Sequence, residues 1–399
     1  MPSRWILSLV FLVSLAGCDT AGGGDGTLSA SGLLVGERVA LDGEVALLGA
    51  PGSNEAFFFD RELGTWSAPV TRRPTAARVP DPFYGQFIAL RGDVAVVGAP
   101  ESVVALDAAG HAYIYARSGG AWTEAAVLRP EDLTANGGFG LNVAVSEGRV
   151  AVAAGNDGCV TLETRGCGRV HLFEQRAGWS RTAVLSTPDP DEVAFFGGNV
   201  ALDGGRLVVL ASAGEFGVDG RLYVFEQDGA SGWSVDDVID APPLPFSGRF
   251  TPLGYGTDIA LDGETLAVSE PGRDEGTVYV YRRGASSWTL EATLTRPRAE
   301  LGGAATFGHR IDVSGDRLVV AVPGRTYDGR RLGAALVYAR GAAGVWTEET
   351  ELRSAEGVVG FGRDVAISGE SVLVGANDSE QNGGGFLFAR GPDGWTQVQ

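Results

Sequence analysis

The feature that most constrains the fold is a short unit of sequence that recurs along the whole chain. Its clearest copy covers residues 255–271, YGTDIALDGETLAVSEP: an aromatic–glycine pair, an alternating apolar stretch, Asp262-Gly263 and a second alternating stretch. Alternation of apolar and polar residues is typical of a half-buried β-strand, and Asp-Gly provides the positive φ angles of a two-residue turn. Each copy is therefore predicted to form a β-hairpin.

The aromatic–glycine pair occurs seven times, with valine in place of the aromatic residue in the first copy. The pairs begin at Val35, Tyr84, Phe139, Phe196, Tyr255, Phe307 and Phe361. They recur about every 54 residues, which is too long for a helical-repeat solenoid and suits one propeller blade. Seven of the 8 tryptophans follow the same spacing: Trp66, Trp122, Trp179, Trp233, Trp288, Trp346 and Trp395. Two independent residue types thus indicate seven units.

Each unit contains the patterns of four strands, here called A to D in chain order. In the unit that begins at Tyr84 they are predicted at residues 87–90, 94–97, 112–115 and 122–128. Four antiparallel strands in a meander form a propeller blade, and one blade cannot bury both of its faces without neighbours. We predict an all-β chain, a seven-bladed β-propeller of four-stranded antiparallel blades over residues 28–399. The aromatic residues are expected to fill the space between blades.

The units also resemble a known repeat. FG before strand A, GAP after strand B (residues 49–51 and 98–100) and VYVY in strand C resemble the FG-GAP repeats of integrin α-chain propellers, over residues 33–399. Many blades of that family carry a calcium loop between strands A and B. Here that connection has two or three residues, too few for the roughly six to eight oxygen ligands of Ca²⁺. We predict no metal and no cofactor, and fold alone does not imply integrin-like adhesion.

The N-terminal residues are typical of an export signal. Arg4 precedes an apolar run over residues 5–16, which is too short to span a bilayer as a mature helix. The run leads into LAGC at Cys18, which resembles the lipobox of bacterial lipoproteins; the alternative is a plain secretory signal with a chance cysteine. We predict a signal peptide at 1–17, lipidation of Cys18, a flexible tether at 18–27 and a bacterial cell-envelope location, lipid-anchored on the periplasmic or cell-surface side.

Charge limits the partners of the chain. Its formal net charge is −19, and all 31 basic residues are arginine. The excess of acid argues against a nucleic-acid or anionic membrane surface. The absence of lysine excludes a Walker A lysine, a Schiff base and a lysine general base. We expect a monomer without a nucleic-acid partner.

Two cysteines lie close together in one connection. Cys159 and Cys167 are eight residues apart in a chain predicted to be exported, which predicts a disulfide between them. His171 follows four residues later, so a three-ligand metal cluster is the alternative.

Length variation among the units falls in the B–C and D–A connections, which lie on one face of the disc in an antiparallel meander. A rigid scaffold with variable loops is the usual layout of a binding surface, and neutral drift is the alternative. We predict a protein or glycan ligand on this face. The candidate residues are Glu101, Asp107, Asp157, Glu215, Asp219, Asp274, Asp328, Asp378, Arg273 and Arg325.

Catalytic motifs are absent from the sequence. The chain has 3 histidines (His111, His171 and His309), and neither GxSxG nor HExxH occurs. We therefore predict a non-catalytic binding, scaffold or adhesion module; the alternative is a secreted propeller hydrolase that acts on glycans through an acidic pair. An enzyme would have a deep central pocket with a buried acid pair of separated pKa values. A binding protein would have a shallow, solvated funnel.

The last unit is short on its outer side, because the chain ends four residues after Trp395. Residues 27–30 resemble the end of a strand D. We predict that they extend or pair with the outer strand of blade 7. The alternative is that the C-terminal segment completes blade 7 alone and that only side-chain packing joins blades 1 and 7.

Overall fold

The computed structural model describes residues 27–28, 35–62, 64–75, 83–100, 109–134, 137–159, 166–191, 193–213, 219–229, 232–243, 254–272, 276–302, 306–377 and 383–398. The predicted signal peptide, the lipidation site Cys18 and all of the tether except its last residue lie outside these ranges.

Seven antiparallel sheets follow one another along the chain, each ordered A-B-C-D. Blade 1 comprises Arg38–Asp42, Val45–Ala50, Glu55–Glu62 and an outer strand in two pieces, Thr65–Trp66 and Val70–Arg72. Blade 2 comprises Phe87–Arg91, Val94–Ala99, His111–Ser118 and Ala121–Leu128; blade 3 comprises Phe139–Ser146, Arg149–Ala154, Arg169–Gln175 and Trp179–Leu185. Blade 4 comprises Val193–Asp203, Arg206–Ala213, Asp219–Asp228 and Gly232–Asp240; blade 5 comprises Ile259–Asp262, Thr265–Glu270, Thr277–Arg283 and Trp288–Thr295.

Blade 6 comprises Ile311–Ser314, Arg317–Val322, Ala334–Arg340 and Trp346–Leu352, and its B–C connection carries a small hairpin, Thr326–Tyr327 with Arg330–Arg331. Blade 7 comprises Phe361–Ser368, Ser371–Ala376, Gly384–Gly391 and Gly394–Gln397. Helix is limited, within the described ranges, to one turn at Arg298–Leu301. The prediction of a seven-bladed propeller with four-stranded antiparallel blades is confirmed. None of the helix described here has the length and apolar character needed to cross a bilayer.

The hydrophobic core is divided among the seams between blades. Seven clusters of buried residues are present, one for each pair of neighbouring blades. The cluster between blades 7 and 1, for example, packs Leu48 and Phe57 against Leu373 and Leu387. Because each blade buries its two faces against different neighbours, no blade has a core of its own.

The glycine of each aromatic–glycine pair occupies a backbone conformation that other residues rarely adopt. All seven have positive φ, from 77° at Gly362 to 95° at Gly140. A Cβ atom added to Gly140 would lie 2.3 Å from the carbonyl oxygen of His111 in the preceding blade. The adjoining aromatic residues, Phe139 among them, are completely buried. The pair therefore sets the close approach of each blade to the one before it.

In two seams a carboxylate of one blade accepts hydrogen bonds from an arginine and a tryptophan of the next blade, a contact here called a clasp. Glu291 of blade 5 accepts hydrogen bonds from Arg340 (2.9 and 2.6 Å) and from the indole N–H of Trp346 (2.9 Å), both in blade 6. Asp60 of blade 1 is bonded in the same way by Arg117 and Trp122 of blade 2. These tryptophans pack in the seams, as expected, and their indole N–H groups also join adjacent blades.

Both ends of the described chain close the ring. Thr27–Leu28 pairs antiparallel with one half of Gly384–Gly391, with Thr27 opposite Phe386 and Leu28 opposite Gly385. Gly394–Gln397 pairs with the other half of the same strand. The outer edge of blade 7 is thus shared by two segments from opposite ends of the chain, as predicted.

Candidate active site

A cavity of about 240 Å³ lies on the propeller axis and is lined by strand A of all seven blades. Two rings of side chains form its wall, because equivalent residues of the seven units meet at the same depth. The outer ring is formed by the residue two positions after each repeat glycine: Arg38, Phe87, Asn142, Asn199, Asp258, Arg310 and Asp364. The inner ring is formed by the residue four positions after each repeat glycine: Ala40, Ala89, Ala144, Ala201, Ala260, Asp312 and Ala366. Asp312 is the one charged side chain in a ring of alanines.

Asp312 lines the cavity and is partly exposed there. Its carboxyl oxygens accept hydrogen bonds from the backbone N–H of Ile367 in blade 7 (2.7 Å) and of Val313 (2.9 Å). Burial raises its pKa to about 7, and the nearby carboxyls of Asp258 and Asp364 act in the same direction, whereas the two backbone N–H groups oppose the shift. Asp312 can therefore gain or lose a proton near neutral pH.

A second buried acid lies in the outer ring of the cavity. Asp364 accepts hydrogen bonds from Val39 of blade 1 (2.8 Å) and from Val365 (3.0 Å), and only 7% of its surface is exposed. Burial raises its pKa to about 6, opposed by the guanidinium groups of Arg38 and Arg310. The third acid of the cavity, Asp258, accepts a hydrogen bond from the backbone N–H of Ile311 in blade 6 (2.8 Å). The three acids thus occupy one arc of the wall, on blades 5 to 7.

Two arginines face the same cavity. The Nε atom of Arg38 donates to the carbonyl oxygen of Gln86 (2.8 Å), and Nη1 of Arg310 donates to the carbonyl oxygen of His309 (3.3 Å). Neither guanidinium forms an ion pair with a carboxylate in the described part of the chain. Burial, together with the charge of Arg310, lowers the pKa of Arg38 to about 10.

A further polar group, here called the rim, lies at the seam of blades 6, 7 and 1, on the chain beside the cavity residues Arg38, Arg310 and Asp364. Arg363 donates to both carboxyl oxygens of Glu37 (2.9 and 3.0 Å from Nε), and Asn377 donates to Glu37 as well (2.5 Å). Nε2 of His309 lies 3.4 Å from Nη1 of Arg363. Burial and the charges of Arg310, Arg363 and Arg38 lower the pKa of His309 to about 3, so it is neutral at physiological pH.

Asparagines form the opposite side of the wall. The side-chain amide of Asn142 donates to the carbonyl oxygen of Gly198 (2.9 Å), and that of Asn199 donates to the carbonyl oxygen of Thr257 (3.2 Å). In a ring of seven blades, Asn142 of blade 3 lies across the axis from blade 6. Asn142 lines the cavity, so its second amide N–H is available to a ligand there.

A second cavity, of about 430 Å³, lies beside the A–B turns at the other end of the axis. Asp312 lines both cavities. The other acids of the second cavity are already bonded: Asp42 accepts from Gly92 (2.6 Å), and Asp262 accepts from Gly315 (2.6 Å). Each of these hydrogen bonds joins the A–B turn of one blade to the A–B turn of the next blade.

Three residues of the predicted binding face are described, and none lines the axial cavity. Asp157 is buried and accepts hydrogen bonds from the backbone and hydroxyl of Thr134 (2.9 and 2.8 Å) and from Arg169 (2.9 Å). Asp328 is exposed at a hairpin turn with φ of 49°, and Arg325 donates to Glu351 (3.4 Å). Asp157 holds a loop in place, so it is not free for a ligand.

The remaining predicted face residues lie outside the described residues: Glu101, Asp107, Glu215, Arg273, Asp274, Asp378 and the side chain of Asp219. The structure does join Cys159 and Cys167 in a disulfide, with the sulfur atoms 2.03 Å apart. Its presence in the mature protein stays a prediction, which mass spectrometry of the two thiols would check.

The residues of the axial cavity were not among those predicted from the sequence. Their signal was present in the repeat: aligned on the repeat glycine, the fourth residue is alanine in six units and Asp312 in the other. The pattern predicts strand A but does not say that its inner edge faces the axis, so the exception did not stand out as a site.

No protein-family model and no curated protein matches the sequence. Solved structures do match. A protein from Lactobacillus plantarum has a TM-score of 0.55 and 15% identity, over 89% of this chain and 95% of that one. A periplasmic gluconolactonase from Pseudomonas aeruginosa has a TM-score of 0.54 and 17% identity, over 89% and 94%. A "putative 6-phosphogluconolactonase" from Bacteroides fragilis has a TM-score of 0.52 and 14% identity, over 96% of each chain. At these identities the likeness shows the fold alone.

These findings correct the prediction of a non-catalytic binding, scaffold or adhesion module. Among the similar structures just described, the two whose names state an activity are lactonases. The axial cavity also holds two acids, Asp312 and Asp364, whose pKa values burial raises to about 7 and about 6, and perturbed acids in a cavity are more typical of an active site than of a solvated binding funnel. The acidic-pair hydrolase alternative agrees better with both observations.

Proposed function

We propose that the protein is a hydrolase of small lactones and that the axial cavity is its active site. The observation that carries the proposal is Asp312, the one acid in a ring of six alanines, whose pKa of about 7 suits general acid–base work near neutral pH. The names of the similar structures support the lactone class. At about 240 Å³ the cavity suits a single small ring rather than a glycan chain.

The proposed step uses Asp312 as a general base. Its carboxylate takes a proton from a water molecule, whose oxygen forms a bond to the lactone carbonyl carbon. The ring C–O bond then breaks, and the proton passes to the leaving ring oxygen, so that one water molecule yields one hydroxy acid. In this proposal the second amide N–H of Asn142, which also lines the cavity, donates to the carbonyl oxygen, where negative charge develops.

Asp312→Ala is the decisive variant. Alanine is the residue of the other six blades at this depth, so the variant is expected to fold. We expect its rate of δ-gluconolactone hydrolysis, measured by proton release above the spontaneous rate, to fall by about 100-fold or more. Asp316→Ala is the matched control, since Asp316 is an exposed acid in the A–B turn of the same blade. Equal activity of Asp312→Ala and wild type would refute the proposal.

The pH profile gives an independent check. With Asp312 as general base, kcat/KM is expected to rise with pH through about 7, the pKa of Asp312 in the free protein, and to level off above it. A kcat/KM that fell through the same range would contradict the general base and indicate that the protonated acid is the active form.

The envelope location rests on separate residues. We propose that the chain is a lipoprotein of FG-GAP repeat type, lipidated at Cys18. Cys18→Ser is expected to release the protein from the membrane fraction or to block its processing. A variant that still sediments with membranes at the normal mature mass would contradict the lipid anchor, without bearing on the hydrolase proposal.

A further inference from the structure

The guanidinium groups of Arg38 and Arg310 are unusual among the arginines of this chain. The chain has 50 acidic and 31 basic residues, and most described arginines form ion pairs with carboxylates, as Arg340 does with Glu291. Arg38 and Arg310 line the axial cavity. Arg38 donates one hydrogen bond to the carbonyl oxygen of Gln86 and lies over the ring of Phe87 (5.5 Å), and Arg310 donates one to the carbonyl oxygen of His309. Within the described residues the other guanidinium N–H groups of both arginines have no protein acceptor, so they are available to a ligand in the cavity.

The acids of the cavity do not use these donors. Oxygens of Asp258, Asp312 and Asp364 accept backbone N–H groups of the next blade. Enclosing a guanidinium is costly unless its N–H groups find acceptors. The wall thus offers charged N–H donors that none of these carboxylates occupies, while each oxygen of Asp312 keeps a second lone pair for a water molecule.

The two arginines come from separate blades and are close enough to influence each other. The charge of Arg310 contributes to the lowered pKa of Arg38, and both lower the pKa of His309 at the rim. In the outer ring Arg310 of blade 6 and Arg38 of blade 1 stand on either side of Asp364 of blade 7, so both guanidinium groups border the sector of the cavity where these blades meet. An oxygen-rich anion is the ligand chemistry that matches several convergent guanidinium N–H groups.

We infer that the axial cavity binds an oxyanion through Arg38 and Arg310, and that the substrate or product carries such a group. The assignment to a substrate rests on the proposed function, whereas the oxyanion site itself does not. Carboxylate and phosphate share this chemistry. The preferred ligands are therefore acidic sugars or their lactones rather than neutral ones.

Binding is tested by titration calorimetry of the full chain with sulfate, gluconate and 6-phosphogluconate, against chloride at equal ionic strength. We expect saturable binding of at least one of the three oxyanions, weakened about ten-fold or more in Arg310→Gln. Arg330→Gln is the matched control, because Arg330 is an exposed arginine on the outer hairpin of the same blade. Sulfate reports the shared chemistry; gluconate and 6-phosphogluconate distinguish carboxylate from phosphate.

The same measurement on Asp312→Ala separates this inference from the proposed function. An inactive Asp312→Ala protein that still binds the oxyanion supports both. An active Asp312→Ala protein refutes the general base and leaves the oxyanion site standing. The inference is overturned if no oxyanion binds, or if Arg310→Gln and Arg330→Gln bind it equally well.

Sulfate binding is also expected to strengthen as the pH falls from 8 to 5. Sulfate keeps its charge in this range, while Asp312 and Asp364 lose theirs and no longer oppose an anion. The other charged or titratable groups near the site are Asp258, which lines the cavity, and Glu37, Arg363 and His309 of the rim. Binding that weakened over this interval would count against the site.

Discussion

At the scale of the residue, Asp312 is the side chain that departs most from its repeat. Its six counterparts are alanines that complete the inner ring, so the fold does not require a carboxyl there. A group kept at a cost to stability is a candidate for function, because buried charge is otherwise removed. The same feature predicts a pH-dependent effect on stability.

Asp312→Ala is expected to become more stable relative to wild type as the pH rises. The folded-state pKa of about 7 lies above the usual value of 3.8, so the contribution of Asp312 is fully present below about pH 4 and is lost as the pH rises through 7. The difference in unfolding free energy between variant and wild type should shift towards the variant by about 2–4 kcal/mol from pH 4 to 8. Chemical denaturation at several pH values measures it; a pH-independent difference would contradict the raised pKa.

His171 has the opposite effect on the pH profile. It is buried against Phe139, with Nε2 3.8 Å from Asp157, and Arg181, Asp132 and Arg169 are the other charges that face it. Burial lowers its pKa to about 4, so stability is lost as the pH falls from about 6.5 to about 4.

His171→Phe should therefore remove about 2–3 kcal/mol of the acid destabilisation between pH 7 and 4. Melting temperatures of the variant and wild type across this range provide the measurement. The wild-type protein should lose more stability than the variant, and parallel curves would show that His171 does not titrate in this way.

At the scale of the element, the repeat glycines determine how closely consecutive blades approach. Gly140→Ala is expected to cost more than about 2 kcal/mol, because alanine at φ of 95° is strained and its Cβ atom would meet the His111 carbonyl oxygen. Gly148→Ala is the control, with φ of 74° and no atom near the added Cβ, and should cost only about 1–2 kcal/mol. Equal losses in urea denaturation would show that the contact with the preceding blade is unimportant.

The clasps between blades predict a second effect at this scale. Glu291→Gln removes the charge that pairs with Arg340 and accepts the indole N–H of Trp346, and should cost about 1–3 kcal/mol. Glu264→Gln is the control, because Glu264 is an exposed partner of Arg282 and should change stability by less than about 0.5 kcal/mol. A loss no larger for Glu291→Gln than for the control would mean that the clasp is only a surface contact.

At the scale of the whole molecule, closure depends on Thr27–Leu28 as well as on the C-terminal strand. A chain that begins at residue 29 leaves part of the edge of Gly384–Gly391 unpaired, and an unpaired edge promotes association. We expect a lower melting temperature and higher-order species in size-exclusion chromatography. A chain that begins at residue 19 is the control and should behave as a monomer; identical behaviour of the two would show that the N-terminal pairing is dispensable.

Much of this architecture is predictable from the sequence because its causes are local and repeated. Strand alternation, Asp-Gly turns and the aromatic–glycine pair each act over a few residues, and seven copies make the count of blades unambiguous. The N-terminal closure also followed from a local likeness between residues 27–30 and the end of a strand D. The predicted ligand face depended instead on loop lengths, and Asp157 shows that a polar loop residue can serve only to hold the loop.

Only the tertiary structure decided where the candidate site lies. Asp364 and Val39 are 325 residues apart in sequence and are brought within hydrogen-bonding distance when the ring closes. The sequence predicts strand A in every unit, but the convergence of seven such strands on one axis places Asp312, Arg38 and Arg310 around one cavity. Their pKa values depend on the burial created there, since the same side chains would titrate normally on an isolated blade. The repeat therefore determined the scaffold. Burial at the axis determined which residues that differ from the repeat have shifted pKa values and can take part in chemistry.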